Sequence, residues 1–190
     1  MEYAWVWGEN MDLPQRKKNR LSGFDYSSTG AYFVTICTYH HLYLLCDDDT
    51  IVGDGSPVPN GSLCKSMQNC LFPVPNHWGR IAEKYINEIP MKYPGTRISN
   101  YVVMPNHIHI LLEITKDESL VCSPTLGTII GWYKYNTTKT IRAEFDVPDG
   151  RVFQRSYHDH IVRGEKDYKA IWEYIEHNPA QWDKDCFYKK

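Results

Sequence analysis

Apolar positions recur along this chain in two rhythms, one of strands and one of helices. Residues 31–39, Ala-Tyr-Phe-Val-Thr-Ile-Cys-Thr-Tyr, are dense in β-branched and aromatic side chains and predict a strand. From about Trp78 to Met91, the positions Ile81, Ala82, Tyr85, Ile86 and Ile89 keep the 3.6-residue period of a helix, with Pro90 and Pro94 expected to close it. Two apolar runs follow at about 98–104 and 107–114, parted by Pro105-Asn106, which reads as strand, tight turn, strand. A second helix is expected from about Thr125 to Ala143, its apolar face made by Leu126, Ile129, Ile130, Trp132, Tyr133 and Ile141. Residues 151–162 read as a loop and short strand. A last helix starts near Glu165 and ends at Asn178-Pro179, where proline restricts the residue before it.

The order β, α, β, β, α, β, α predicts an α+β fold. Its first six elements form a ferredoxin-like βαββαβ sandwich with helices on one sheet face, leaving the C-terminal helix to cross the other. Residues 1–22 are read as a basic lead-in, 23–179 as a single domain and 180–190 as a tail. Within the domain, residues 46–75 stand apart, rich in Asp, Gly and Pro with an Asn60-Gly61 turn, and are expected to form an insert or extended hairpin.

Composition narrows the class without naming a partner. The chain has 190 residues, 42% hydrophobic and 14% aromatic, enough to bury a core. No run approaches the roughly 18 apolar residues of a membrane helix, and no secretory leader is visible, so a cytoplasmic protein is expected. Six cysteines lack any C-x-x-C pair and are expected to be reduced, Cys64 and Cys70 being the pair to watch for a metal knuckle. The net charge of −2 means that nucleic-acid binding would have to rest on local basic faces. Candidates are the Arg16, Lys17, Lys18, Arg20 cluster and the cations Lys134, Lys139 and Arg142 of the second predicted helix. A solvated basic patch is the plainer reading of the first group.

The candidate chemistry lies in Asn106-His-Ile-His109. His107 and His109 alternate along a strand, so both imidazoles leave one face about 7 Å apart at the backbone and can chelate a divalent metal. A half-exposed strand carrying two histidines is the bland alternative; the central-looking position of the strand speaks against it. On the last helix, Tyr174 and Asn178 share a face one turn apart. A metal held by His107, His109 and the Asn178 oxygen would polarise a phosphodiester, and the Tyr174 phenol would attack it. Composition alone does not single out Tyr174 among 14 tyrosines, with Tyr157 and Tyr168 as rivals.

The chain resembles the REP-associated tyrosine transposases, a domesticated branch of the small single-tyrosine HUH insertion-sequence transposases. The resemblance rests on Arg20–Tyr26 leading into Tyr32–Cys37, the His-x-His strand, Gly127–Gly131, Phe153–Arg163 and Tyr174–Pro179. It implies cleavage of single-stranded DNA beside a hairpin, through a 5′-phosphotyrosine and a free 3′-hydroxyl, with Mg²⁺ or Mn²⁺. Carried over by position, Tyr174 is the nucleophile, His107 and His109 the metal pair and Asn178 the third ligand. His160 and Arg163 fall in a His-x-x-Arg segment typical of the family, and His160 is a candidate phosphate or metal contact unless it serves only the strand. Members can work as dimers, so a homodimer with Tyr174 acting in cis or in trans is left open. Phosphotyrosine chemistry needs no ATP, in keeping with the lack of a G-x-x-x-x-G-K-[ST] loop and of any expected nucleotide cofactor. A non-catalytic ferredoxin-like binder of structured nucleic acid is the alternative, and a replication or mobilisation nickase is disfavoured by the small size.

Overall fold

A computed structural model describes Leu21 and residues 23–47, 73–115 and 124–188. In chain order these form β1 (Gly30–Cys37), β2 (Cys46–Asp47), β3 (Val74–Pro75), α1 (His77–Lys92), β4 (Thr96–Met104), β5 (His107–Ile114), α2 (Leu126–Glu144), β6 (His158–Ile161) and α3 (Gly164–His177). A 3₁₀ turn, Pro179–Lys184, follows α3.

The main sheet runs β4-β5-β1-β6, antiparallel throughout, which is the expected ferredoxin-like order. Alternation along the strands divides its side chains between two cores. Tyr32, Val34 and Ile36 of β1 and Ile108, Ile110, Leu112 and Ile114 of β5 join Ile81, Ile86 and Ile89 of α1 and Ile129, Ile130 and Tyr133 of α2. On the other face, Leu111 packs with Ile171 and Ile175 of α3, flanked by Ala31, Phe33 and Val102. β5 is therefore covered on both faces, which is why it reads as an almost unbroken apolar run. That continuity makes the two histidines in it conspicuous.

Two local features, at Pro90 and at Asn178, differ from the sequence expectation. Pro90 lies inside α1, which continues to Lys92 and closes with the Tyr93 N–H on the Ile89 carbonyl at 2.8 Å. Proline removes only its own N–H, so one more turn can form when the next donor is satisfied. The start of α1 is set by Asn76, whose Oδ1 accepts from the Trp78 and Gly79 N–H groups at 2.9 and 3.1 Å. α3 ends at His177, yet Asn178 keeps right-handed helical dihedrals (φ −56°, ψ −44°) despite preceding proline, so its side chain stays in line with Tyr174. The ends of the Gly/Pro-rich insert are paired, Cys46 with Pro75 and Asp47 with Val74. Its interior, residues 48–72 with Cys64 and Cys70, lies outside the described residues, as do Arg16, Lys17, Lys18 and Arg20.

Candidate active site

Strand register assembles the site. In the β1–β5 pairing His109 stands opposite Thr35 and His107 opposite Cys37, all on the α3 side of the sheet. The two imidazoles are buried, with ring centroids 4.5 Å apart. Asn106, from the turn between β4 and β5, presents Oδ1 to His107 Nδ1 at 2.9 Å. An amide oxygen only accepts, so His107 carries its proton on Nδ1 and turns an Nε2 lone pair into the site, where it is buried and unpartnered among the described residues. His109 Nδ1 is held by the Thr35 hydroxyl at 2.9 Å, and its Nε2 lies 3.3 Å from the Tyr174 hydroxyl.

From the α3 side, Tyr174 stands edge-on to Phe33, which itself stacks on His109, so three rings from three elements fix the approach of the phenol. Asn178 is buried, donates Nδ2 to Asp185 Oδ2 at 3.0 Å and leaves its Oδ1 buried without a partner among the described residues. The segment read from sequence as a tail folds back here. Asp185 joins His107 and His109 with ligand atoms all within 4.8 Å of one another. Phe187 packs on the His107 ring at 4.7 Å, and its carbonyl accepts from Asn106 Nδ2 at 2.8 Å. A divalent cation fits this set: the ligand atoms of His107, His109 and Asp185 converge, and His107 Nε2 and, on the neighbouring Asn178, Oδ1 are buried lone pairs without a partner among the described residues.

Burial sets the resting protonation. It pushes the His107 imidazole down to about 4, against the upward pull of Asp185, and holds His109 well below the usual range with His107 adding to the effect. Both are neutral at pH 7, as metal ligands must be. Burial pushes the Tyr174 phenol up to about 12, and the Asp185 carboxylate pushes the same way, so the phenol is protonated at rest.

The residues singled out from sequence do not all come together. His107, His109 and Tyr174 converge, with Asn178 joined to them through Asp185; Tyr157 is buried in the α1–α2 core, and Tyr168 donates to Glu113 at 2.9 Å. Lys134 donates its ammonium to the carbonyls of Gln154, Arg155 and Ser156, a bracing role rather than that of a free phosphate contact. Lys139 and Arg142 are exposed on α2, across the sheet from α3. His160 pairs with Asp167 at 2.8 Å, and the same carboxylate accepts from the Arg163 N–H at 2.8 Å, tying β6 to the start of α3. The sequence reading missed Asp185, Asn106 and Thr35 as partners of the histidines. A carboxylate in the aromatic-bearing stretch Trp182–Phe187 was the available signal.

Comparison with known proteins accords with this geometry. The IS200-like transposase family ("Transposase IS200 like") matches residues 74–178. An uncharacterised protein of Haemophilus influenzae is 30% identical over 202 aligned positions, covering 94% of this chain and 96% of that protein. Among solved structures, a REP-associated tyrosine transposase bound to a REP hairpin overlays with a TM-score of 0.51 at 15% identity, over 86% of this chain and 72% of the other. That likeness is one of fold.

Proposed function

This chain belongs to the IS200-like transposase family, and from that premise we propose that it cleaves and rejoins single-stranded DNA beside a hairpin, with Tyr174 as nucleophile. The observation that carries the reading is the Tyr174 hydroxyl 3.3 Å from His109 Nε2, at a site where buried lone pairs of His107 and Asn178 have no partner among the described residues. The hairpin is suggested by the DNA bound to the structural relative. The cytoplasm is the expected compartment, and among the described residues no helix is long and apolar enough to cross a membrane.

The Tyr174 oxygen forms a bond to phosphorus as the bond from phosphorus to the 3′ oxygen breaks. The products are a 5′-phosphotyrosine and a 3′-hydroxyl, the proton lost by the phenol being matched by the one gained by the leaving oxygen. One phosphodiester replaces another, so a 3′-hydroxyl can reverse the step without ATP. A Mg²⁺ or Mn²⁺ ion held by His107, His109 and Asn178, with Asp185 at hand, would supply positive charge at the phosphate and favour the ionised phenol. Asn106 and Thr35 keep the imidazoles oriented, and Phe33 holds the Tyr174 ring against His109.

A labelled single-stranded hairpin oligonucleotide, incubated with Mn²⁺ or EDTA, tests this reading by the SDS-resistant protein–DNA band. The expected result is a metal-dependent band that vanishes in Tyr174→Phe while hairpin binding survives. A band that persists in Tyr174→Phe sinks the nucleophile assignment, and tight binding in EDTA with no band from a panel of hairpins favours a non-catalytic binder.

A further inference from the structure

Just beyond the end of β1 the chain makes an unusual turn. His40 and His41, both non-glycine, take left-handed backbone (φ 53° and 56°). The turn is pinned by the Thr38 hydroxyl on the Leu42 carbonyl at 2.7 Å and by Asn106 Nδ2 on the His41 carbonyl. Facing it, residues 151–155 are zipped to the same strand end, with Tyr39 N–H on the Val152 carbonyl at 2.8 Å and Gln154 N–H on the Cys37 carbonyl at 3.0 Å. Between the two segments lies a cavity of about 880 Å³ lined by Tyr39, His40, Phe153, Gln154, Arg151 and Arg155, with His41 at its inner wall. That volume is within the roughly 300–1,000 Å³ of ligand sites.

We propose that this cavity is a subsite for an unpaired nucleotide of the DNA strand that runs on from the scissile phosphate, resting on the reading of the chain as a single-strand DNA enzyme. Its lining supplies both features that such a site needs. Aromatic faces stack bases regardless of sequence, and guanidiniums hold phosphates in two-pronged contacts. The Arg151 guanidinium lies over the Tyr39 ring at 5.4 Å, combining the two in one wall. Among the described residues no carboxylate lines the cavity to oppose a polyanion. Lys134 braces the wall from behind through the carbonyls of Gln154, Arg155 and Ser156, which holds the backbone that carries Arg155 and adds a third positive charge.

The cavity also adjoins the chemistry. Gln154 Nε2 donates to His41 Nε2 at 2.8 Å; the His41 ring stacks on Phe187 at 5.3 Å, and Phe187 packs on His107. The wall of the cavity and the wall of the metal site are thus separated by stacked rings. A strand whose phosphate meets Tyr174 would need to bend only around that stack to place a neighbouring base against Tyr39 and His40.

Fluorescence anisotropy with labelled (dT)8, measured for the full chain and for Arg151→Ala/Arg155→Ala, tests the subsite independently of hairpin sequence. Both arginines are exposed, so an unchanged melting temperature is the control for folding. The expected result is at least a roughly tenfold loss of (dT)8 affinity, with the salt slope falling by about 0.7 for each phosphate that the protein no longer neutralises. Binding of a blunt-ended hairpin should be unaltered. Unchanged affinity and slope for (dT)8 would overturn the subsite, as would wild-type protein that fails to bind (dT)8 at low salt. If the metal-dependent covalent band still forms in that case, the subsite alone has failed. If the arginines govern (dT)8 binding but the band survives Tyr174→Phe, the nucleophile assignment alone has failed.

Discussion

His107 shows how much one residue's surroundings decide. Asn106 fixes its tautomer, burial keeps it neutral, and the described residues offer its Nε2 no protein partner. A histidine with an unfolded value near 6.5 and a folded value of about 4 binds its proton more readily when unfolded between those limits. The stability it contributes is therefore complete above about pH 6.5 and is lost as pH falls towards 4, by about 1.4 kcal/mol per unit. In EDTA, thermal melts should show stability declining over this range, and His107→Gln should flatten part of the decline; an identical profile in the variant would refute the assignment. Asp185 invites a second measurement. Removing a carboxylate from the cluster of His107, His109 and Asp185 should weaken Mn²⁺ binding at least about tenfold in Asp185→Ala, read by titration calorimetry, if the carboxylate contributes to the metal. Undiminished affinity would leave Asp185 a structural part, through its hydrogen bonds to Asn178 and the Phe187 N–H and its contact with Tyr174.

Two glycines in helices separate close packing from mere tolerance. A Cβ on Gly79 would lie 2.2 Å from the Leu45 carbonyl oxygen and 2.8 Å from Pro75 Cβ, so α1 could not stay seated on the β2–β3 pair. Gly131 in α2 has nothing within 4 Å of that position. Gly79→Ala should destabilise by roughly 1–3 kcal/mol or more, while Gly131→Ala should stabilise by about 0.5–1 kcal/mol, both measured by urea unfolding. Most elements were legible from sequence because one-sided burial imposes a period: α1, α2 and α3 bury stripes, and β1 and β5 carry dense β-branched runs. The paired histidines were legible for the same reason, since the alternation that buries Ile108 and Ile110 on one face puts His107 and His109 on the other. What could not be read was contact made without a period. Asp185 and Phe187 reach the site through an irregular segment, and Asn178 keeps helical backbone where the chain passes into a 3₁₀ turn, against the restriction that the following proline suggests. The Lys134 ammonium looked like a surface charge because nothing in the sequence shows the carbonyls that surround it.

For the whole molecule, the decisive relation is that α3 brings Tyr174 to the histidines of its own chain. If Tyr174 acts in cis, as this placement allows, mixing Tyr174→Phe with His107→Ala should not restore the covalent band, and recovery of the band would instead establish exchange of the helix between copies. The β2–β3 pair also takes its meaning at this scale. The chain departs at Asp47 and returns at Val74, and the two residues are partners in register. To the domain these positions are neighbours, whatever lies between them. Closing a loop depends only weakly on its length, about 0.6 kcal/mol for each doubling. The ladder therefore acts as a socket: segments of different length and chemistry could be exchanged there over evolutionary time, changing what the protein meets at that edge while leaving its reacting centre alone.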